Sequence, residues 1–115
     1  MIRKNEEKTR VDFQNRFGGE GSFEVTHILN PEEMMGKGRL FADNILAPGA
    51  SLGSHEHNGD FEAYYILEGE GLYSGPEGDV IVKAGDVTVV DDQGSHSIRN
   101  TGNTDLRFIA LILYT

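Results

Sequence analysis

The chain has no cysteine, few basic side chains and no long apolar run, and each shortage removes a class of function. Without cysteine there is no disulfide framework, no thiolate nucleophile and no Cys-ligated zinc site, and the redox compartment is left unmarked. Ten Lys and Arg against nineteen Asp and Glu set the formal charge at −9. That balance argues against nucleic acid and anionic membrane as partners, since both recruit positive protein surface. An anionic substrate would need its positive charge from a bound cation rather than from the protein as a whole. The opening stretch MIRKNEEKTR lacks the apolar core of a signal peptide, and no segment approaches transmembrane length, so the expected location is cytoplasmic. A long helical period is also missing after residue 38.

What is present is a series of short apolar segments separated by glycine-rich turns. At 115 residues the chain has the length of one domain with one modest core. Residues 1–22 are polar, with Val11, Phe13 and Phe17 as anchors of an N-terminal arm that covers a sheet edge, crosses to a partner subunit or frays over its first ten residues. Residues 23–115 read as a single β domain. Phe23, Val25 and Ile28-Leu29 form a short strand stopped by Asn30-Pro31, and Pro31 to Met35 allow about one helical turn before Gly36 and Gly38. From Arg39 onward strand and turn alternate. The runs Ala63 to Leu67 and Phe108 to Leu113 are apolar on both faces, which predicts cover on both sides, one of them a second sheet or another subunit. Fifteen glycines at this spacing predict an all-β, compact antiparallel barrel or sandwich.

The stretch from Gly49 to Gly69, GASLGSHEHNGDFEAYYILEG, carries the chemistry. His55 and His57 are two residues apart on an extended segment, so both imidazoles leave one face. Asn58-Gly59-Asp60 reads as a tight turn or bulge that brings Glu62 back towards them. Two imidazoles and a carboxylate converging on one point suit a borderline or hard divalent metal, and His96 can supply a third nitrogen. Glu62 runs directly into the apolar AYYIL, where an ionised carboxylate needs a metal or a donor. The plainer alternatives are surface histidines beside a Gly/Ser turn and a solvated glutamate.

The stretch resembles the first motif of the cupin superfamily: glycine, five residues, His, one residue, His, three or four residues, Glu, six residues, glycine. Gly49, His55, His57, Glu62 and Gly69 occupy every fixed position. The second motif is matched by Gly85, His96 and Asn100, whereas Asp91 stands at the proline position and Gln93 at the glycine position, with Gly94 one place late. The resemblance covers roughly residues 40 to 113. It implies a jelly-roll barrel, or double-stranded β-helix, commonly dimeric, holding one Mn, Fe, Ni, Co or Zn ion through His55, His57, Glu62 and His96. It names no reaction, since cupins include decarboxylases, dioxygenases, isomerases, lyases and sugar- or effector-binding domains.

Three neutral imidazoles and one carboxylate leave a formal charge of +1 on a divalent ion, with up to two positions open on an octahedral ion. The leading expectation is a mononuclear metal-dependent enzyme, a lyase or oxidoreductase, acting on a small oxygen-rich organic acid or related metabolite in an oxalate-decarboxylase-like or dioxygenase reaction. The alternatives are a non-catalytic cupin that binds a sugar or organic acid and a barrel that uses its metal only for stability. Tyr64, two residues beyond Glu62 on the same face, is the candidate proton donor, or else a plain core aromatic. His27 fits neither motif and reads as satisfied or exposed, with a contact to a ligand residue as the alternative. Met34 and Met35 read as packing, or as a lid. Gln93 and Asp91 read as turn residues facing water, or facing substrate. Small size, two-faced apolar strands and the resemblance predict a homodimer.

Overall fold

The computed structural model describes all 115 residues as ten strands with three single turns of 3-10 helix. The strands are β1 (Arg10–Gln14), β2 (Ser22–Leu29), β3 (Gly38–Leu46), β4 (Ser51–Glu56), β5 (Asp60–Glu68), β6 (Glu70–Gly75), β7 (Gly78–Lys83), β8 (Val87–Val90), β9 (Ser95–Asn100) and β10 (Leu106–Tyr114). They form two antiparallel sheets, one of six strands in the order β1-β2-β3-β10-β5-β8 and one of four in the order β4-β9-β6-β7. This is the expected double-stranded β-helix. No helix is long and apolar enough to cross a membrane.

The expected helical turn forms at Pro31–Met34, where the Asn30 N–H donates to the Glu33 carboxylate at 2.7 Å. Two more turns, Asn5–Glu7 and Arg16–Gly18, lie in the N-terminal segment, so the chain has three such turns where the sequence led us to expect at most one. Turns of three residues need no apolar period, which is why the pattern is blind to them.

The sheets face each other across one core. Inward residues alternate as the pleat requires: Leu106, Phe108, Ala110 and Ile112 on β10 are buried, as are Tyr64 and Ile66 on β5, and they meet Leu52, Tyr73, Val82 and Ile98 from the smaller sheet. The outward side of β5 and β8 is different. Tyr65, Val87 and Val89 are about half exposed, Tyr65 pairs with Val87 and Ala63 with Val89 in register, and no second layer of this chain covers them.

The connection from β4 to β5 does not make a hairpin. It carries the chain from the small sheet to the large one through Asn58 and Gly59, the latter at φ +78°, a conformation that suits glycine. The polar N-terminal segment folds back on its own chain. Here β1 pairs with β2 along Arg10↔Thr26 to Gln14↔Ser22, and residues 15–21 then pass over the end of β4. That passage depends on Gly53, where a Cβ would run into the Phe17 carbonyl. Gly53→Ala is accordingly expected to cost about 1–3 kcal/mol, measured as a lower urea midpoint, and to expose residues 15–19 to protease before global unfolding. An unchanged midpoint would mean that the segment adjusts freely.

Candidate metal centre

Glu62 occupies an apolar row of the large sheet: on β5 it pairs with Ile112 on one side and Val90 on the other. Its side chain is about 5 % exposed, so its charge must be answered from the facing sheet. There, His55 on β4 stands directly opposite His96 on β9. His57 follows the end of β4, its N–H donating to the Gly94 carbonyl at 2.9 Å and its carbonyl accepting the Gln93 N–H at 2.6 Å. These two backbone bonds tie the loop before His96 to the segment carrying His57. Gln93 holds φ +70°, the left-handed conformation that a glycine at this motif position would take without strain.

The four side chains expected from spacing converge. The His96 Nε2 lies 3.0 Å from His55 Nε2, 3.2 Å from His57 Nε2 and 2.9 Å from Glu62 Oε1. Glu62 Oε1 is 3.1 Å from His57 Nε2 and 3.7 Å from His55 Nε2, and all four donor atoms lie within 4.8 Å of one another.

The far sides of the rings decide what the near sides can do. His55 Nδ1 meets the Gly53 carbonyl at 2.9 Å and His57 Nδ1 meets Asp60 Oδ1 at 2.7 Å. Both partners only accept, so Nδ1 carries the proton, and in a neutral ring Nε2 presents a lone pair. The Tyr73 hydroxyl, 3.0 Å from His96 Nδ1, can accept the same kind of bond. With Tyr73 accepting, three lone pairs and a carboxylate oxygen face one point, an arrangement that repels itself unless a cation sits among them. The cluster is therefore able to hold a divalent metal ion, and its donor set suits one.

Ionisation in the metal-free protein follows from the same contacts. Hydrogen bonding to Glu62 raises the His57 pKa against the lowering effect of burial, with Asp60 adding to the rise. Burial lowers that of His96. Burial also pushes Glu62 upward, but hydrogen bonds from the three histidines outweigh it and hold the carboxyl well below the usual range. Asp60 is likewise pushed up by burial and brought down further by Arg39, whose Nε donates to Asp60 Oδ2 at 2.8 Å, and by His57.

A cavity of about 280 Å³ opens onto the cluster and is lined on its other sides by Phe13, Arg16, Phe17, Arg39 and Tyr64 among others. Tyr64 is buried and stacks on His96 with ring centres 5.0 Å apart, and burial raises its phenol pKa well above the ordinary value. His27 and Asn44 also line the cavity, and His27 Nδ1 and Asn44 Oδ1 are buried without a protein partner. Met34 is buried away from this cavity, and Met35, Asp91 and Gln93 do not line it. Sequence reasoning missed Asp60, Arg39, Arg16 and Asn44. Asn44 had a readable signal: it is polar on the β3 face that otherwise carries Leu40, Ala42 and Leu46 inward.

The family model described as Cupin domain matches residues 44–112. The chain belongs to the cupin family. This cupin is 50% identical over 113 residues to the oxalate-binding protein of Thermotoga maritima, covering 98% of this chain and 93% of that protein. A solved structure of a predicted oxalate decarboxylase from Thermotoga maritima superposes with a TM-score of 0.94 at 49% identity, over 100% of both chains. KdgF from Halomonas sp., 14% identical, shares the fold at a TM-score of 0.77 over 97% of this chain and 93% of its own.

In the cupin, Asp60 orients His57 and is itself held by Arg39. Replacing Asp60 with Ala is expected to weaken divalent-metal affinity roughly 10–100-fold, read by competition with a chelator, while far-UV circular dichroism stays unchanged. Equal affinity in the variant would remove Asp60 from that role.

Proposed function

We propose that this cupin holds one divalent ion through His55, His57, Glu62 and His96 and binds a small oxygen-rich acid, oxalate first among the candidates, in the adjoining cavity. The observation that carries the reading is the convergence of the four donor atoms with two ring nitrogens turned inward by acceptors behind them. The bound ion supplies a Lewis-acidic centre with open positions for carboxylate oxygens. The unpartnered polar atoms of His27 and Asn44 support a polar occupant, since each such buried group left unpaired costs about 1–3 kcal/mol. The name of the Thermotoga maritima relative supports oxalate in particular.

A second reading adds turnover. Conversion of oxalate to formate and carbon dioxide consumes one proton, and Tyr64, kept as a neutral phenol by burial beside the cluster, can place a hydroxyl proton on the cavity side. Formate appearing in an NMR assay of metal-loaded protein, and lost in Tyr64→Phe, is the outcome that selects this reading. Binding without formate leaves a binding cupin.

Protein purified without a chelating tag is expected to carry about one divalent ion per chain and to bind oxalate by calorimetry only when metal-loaded. His57→Ala and Glu62→Gln should each lose the metal and the oxalate signal together. Metal retention should fall as pH drops, because His57, whose pKa is raised by Glu62, takes a proton in competition with the ion while Glu62 stays ionised. Oxalate binding unchanged after metal removal overturns the reading.

The same reading includes a homodimer joined through the open apolar face of β5 and β8. Sedimentation should give a dimer for the native chain and a monomer for Val87→Lys. A native monomer at tens of micromolar would refute it.

A further inference from the structure

We propose that Arg16 determines which acids enter this site: its guanidinium pairs with one carboxylate of a small dicarboxylate whose remaining oxygens face the His55, His57, Glu62 and His96 cluster. The inference rests on the metal-binding reading above. It adds the ligand's charge and the residue that selects it.

Every other arginine already has a polar partner. Arg3 binds Glu33, Arg10 the Asn5 carbonyl, Arg39 Asp60, Arg99 the Gly49 carbonyl and Arg107 Asp43. The Arg16 side chain makes no hydrogen bond and no ion pair, the residue's backbone carbonyl alone accepting, from the Gly19 N–H at 2.9 Å. Its guanidinium carbon instead sits 4.3 Å from the centre of the Phe13 ring and 4.4 Å from that of Phe17, in the cavity wall. Aromatic faces attract a cation without using its N–H groups, so the donors remain available for a ligand. The Phe17 ring also stacks on the His55 imidazole, centres 4.1 Å apart and planes 21° apart, which places the free cation one aromatic ring from the cluster.

The segment that presents Arg16 is built to stay in place. Asn15 N–H donates to the Gly21 carbonyl and Gly21 N–H to Asn15 Oδ1, both at 3.0 Å, closing the loop. Glu20 N–H donates to Ser51 Oγ at 3.0 Å and Ser51 N–H to the Glu20 carbonyl at 2.7 Å, fastening it to β4. Asn15 and Phe17 both hold φ +56°, a conformation that asparagine takes readily but that a phenylalanine adopts only where its surroundings impose it.

Charge counting gives the ligand class. A divalent ion with Glu62 contributes a net +1, and Arg16 contributes another. Arg39 is neutralised by Asp60. Glu56, the other carboxylate on the cavity wall, is exposed and makes no ion pair with Arg16. Two positive centres on an otherwise largely apolar wall are matched by a dianion, whereas a monoacid leaves one of them unanswered.

The test compares oxalate with oxamate, its monoamide, which keeps the chelating oxygens and loses one charge. Both are titrated calorimetrically into Mn²⁺-loaded native protein, Arg16→Gln and Arg16→Lys. The native protein is expected to prefer oxalate. That preference should shrink about tenfold or more in Arg16→Gln and survive in part in Arg16→Lys, with Mn²⁺ affinity within about twofold throughout, which also reports that the variants are folded. An oxalate preference unmoved in Arg16→Gln, with Mn²⁺ uptake intact, overturns this proposal and leaves the metal site standing. Failure of the native protein to take up Mn²⁺ or to bind either probe overturns the metal-binding reading, and the proposal with it.

Discussion

The structure turns on one electrostatic constraint: electron-pair donors from both sheets face a single point, and they can do so only if something positive lies between them. Glu62 comes from the large sheet and the three imidazoles from the small sheet and its adjoining loop. The groups behind the rings belong to the same constraint. The Gly53 carbonyl and Asp60 set the tautomers of His55 and His57, and Arg39 keeps Asp60 ionised. Removing any of these leaves the cluster's residues in the chain but frees their rings to turn or to take a proton on the wrong nitrogen. Because the donors straddle the barrel, an ion among them would also tie the two sheets together, so its binding and the fold's stability are linked.

Charge is distributed against the average. The chain carries −9 overall, yet the cavity beside the cluster exposes a guanidinium with no acidic partner. The expectation that an anionic substrate would need its positive charge from a bound cation rather than from the protein as a whole was drawn from composition, which has no access to where a single arginine stands. A row of aromatic rings explains how Arg16 is held there. Phe13 stacks on Phe23, Phe23 on Phe108 and Phe108 against Tyr64, which lies on His96, so the arm is continuous in packing with the floor of the site. Such stacks add about 0.5–1.5 kcal/mol each beyond area burial, enough together to fix the arm's position relative to the imidazoles.

What could be read from the chain was whatever depends on local spacing. The separation of two residues between His55 and His57 follows from strand period, and the resemblance to the two motifs carries Glu62 and His96, whose place opposite His55 only the structure shows. The barrel follows in the same way from short apolar segments and glycine turns. The parts that escaped reading depend on contacts between distant segments. Asp60 reads as a turn residue until the chain is seen to change sheets there, which brings its carboxylate behind His57. Arg16 sits in a polar arm with no period at all, and its place is set by the close passage of Phe17 over Gly53, a contact across 36 positions of sequence that no pattern encodes. Gln93 stands at the glycine position of the second motif. The backbone keeps the glycine-like φ regardless, because the bond from its N–H to the His57 carbonyl requires it.

That last exchange shows how the site constrains its own scaffold. A left-handed glutamine costs about 1–2 kcal/mol relative to an unstrained residue, and it persists because the alternative is to release the backbone bonds joining the loop of His96 to the segment of His57. Phe17, in the cavity wall, presents the same bargain: it holds φ +56° with its ring stacked on His55 and its carbonyl against Gly53. Strain of this kind concentrates where geometry must be held for a ligand rather than for packing. Of the four non-glycine residues at positive φ, Met35 ends the 3-10 turn at Pro31–Met34 away from the cavity, and the other three lie in residues 15–19 and 91–94, which approach the imidazoles from different sides. One brings His57 and His96 into range of the same point. The other sets an unpaired guanidinium, that of Arg16, in the wall of the cavity beside them.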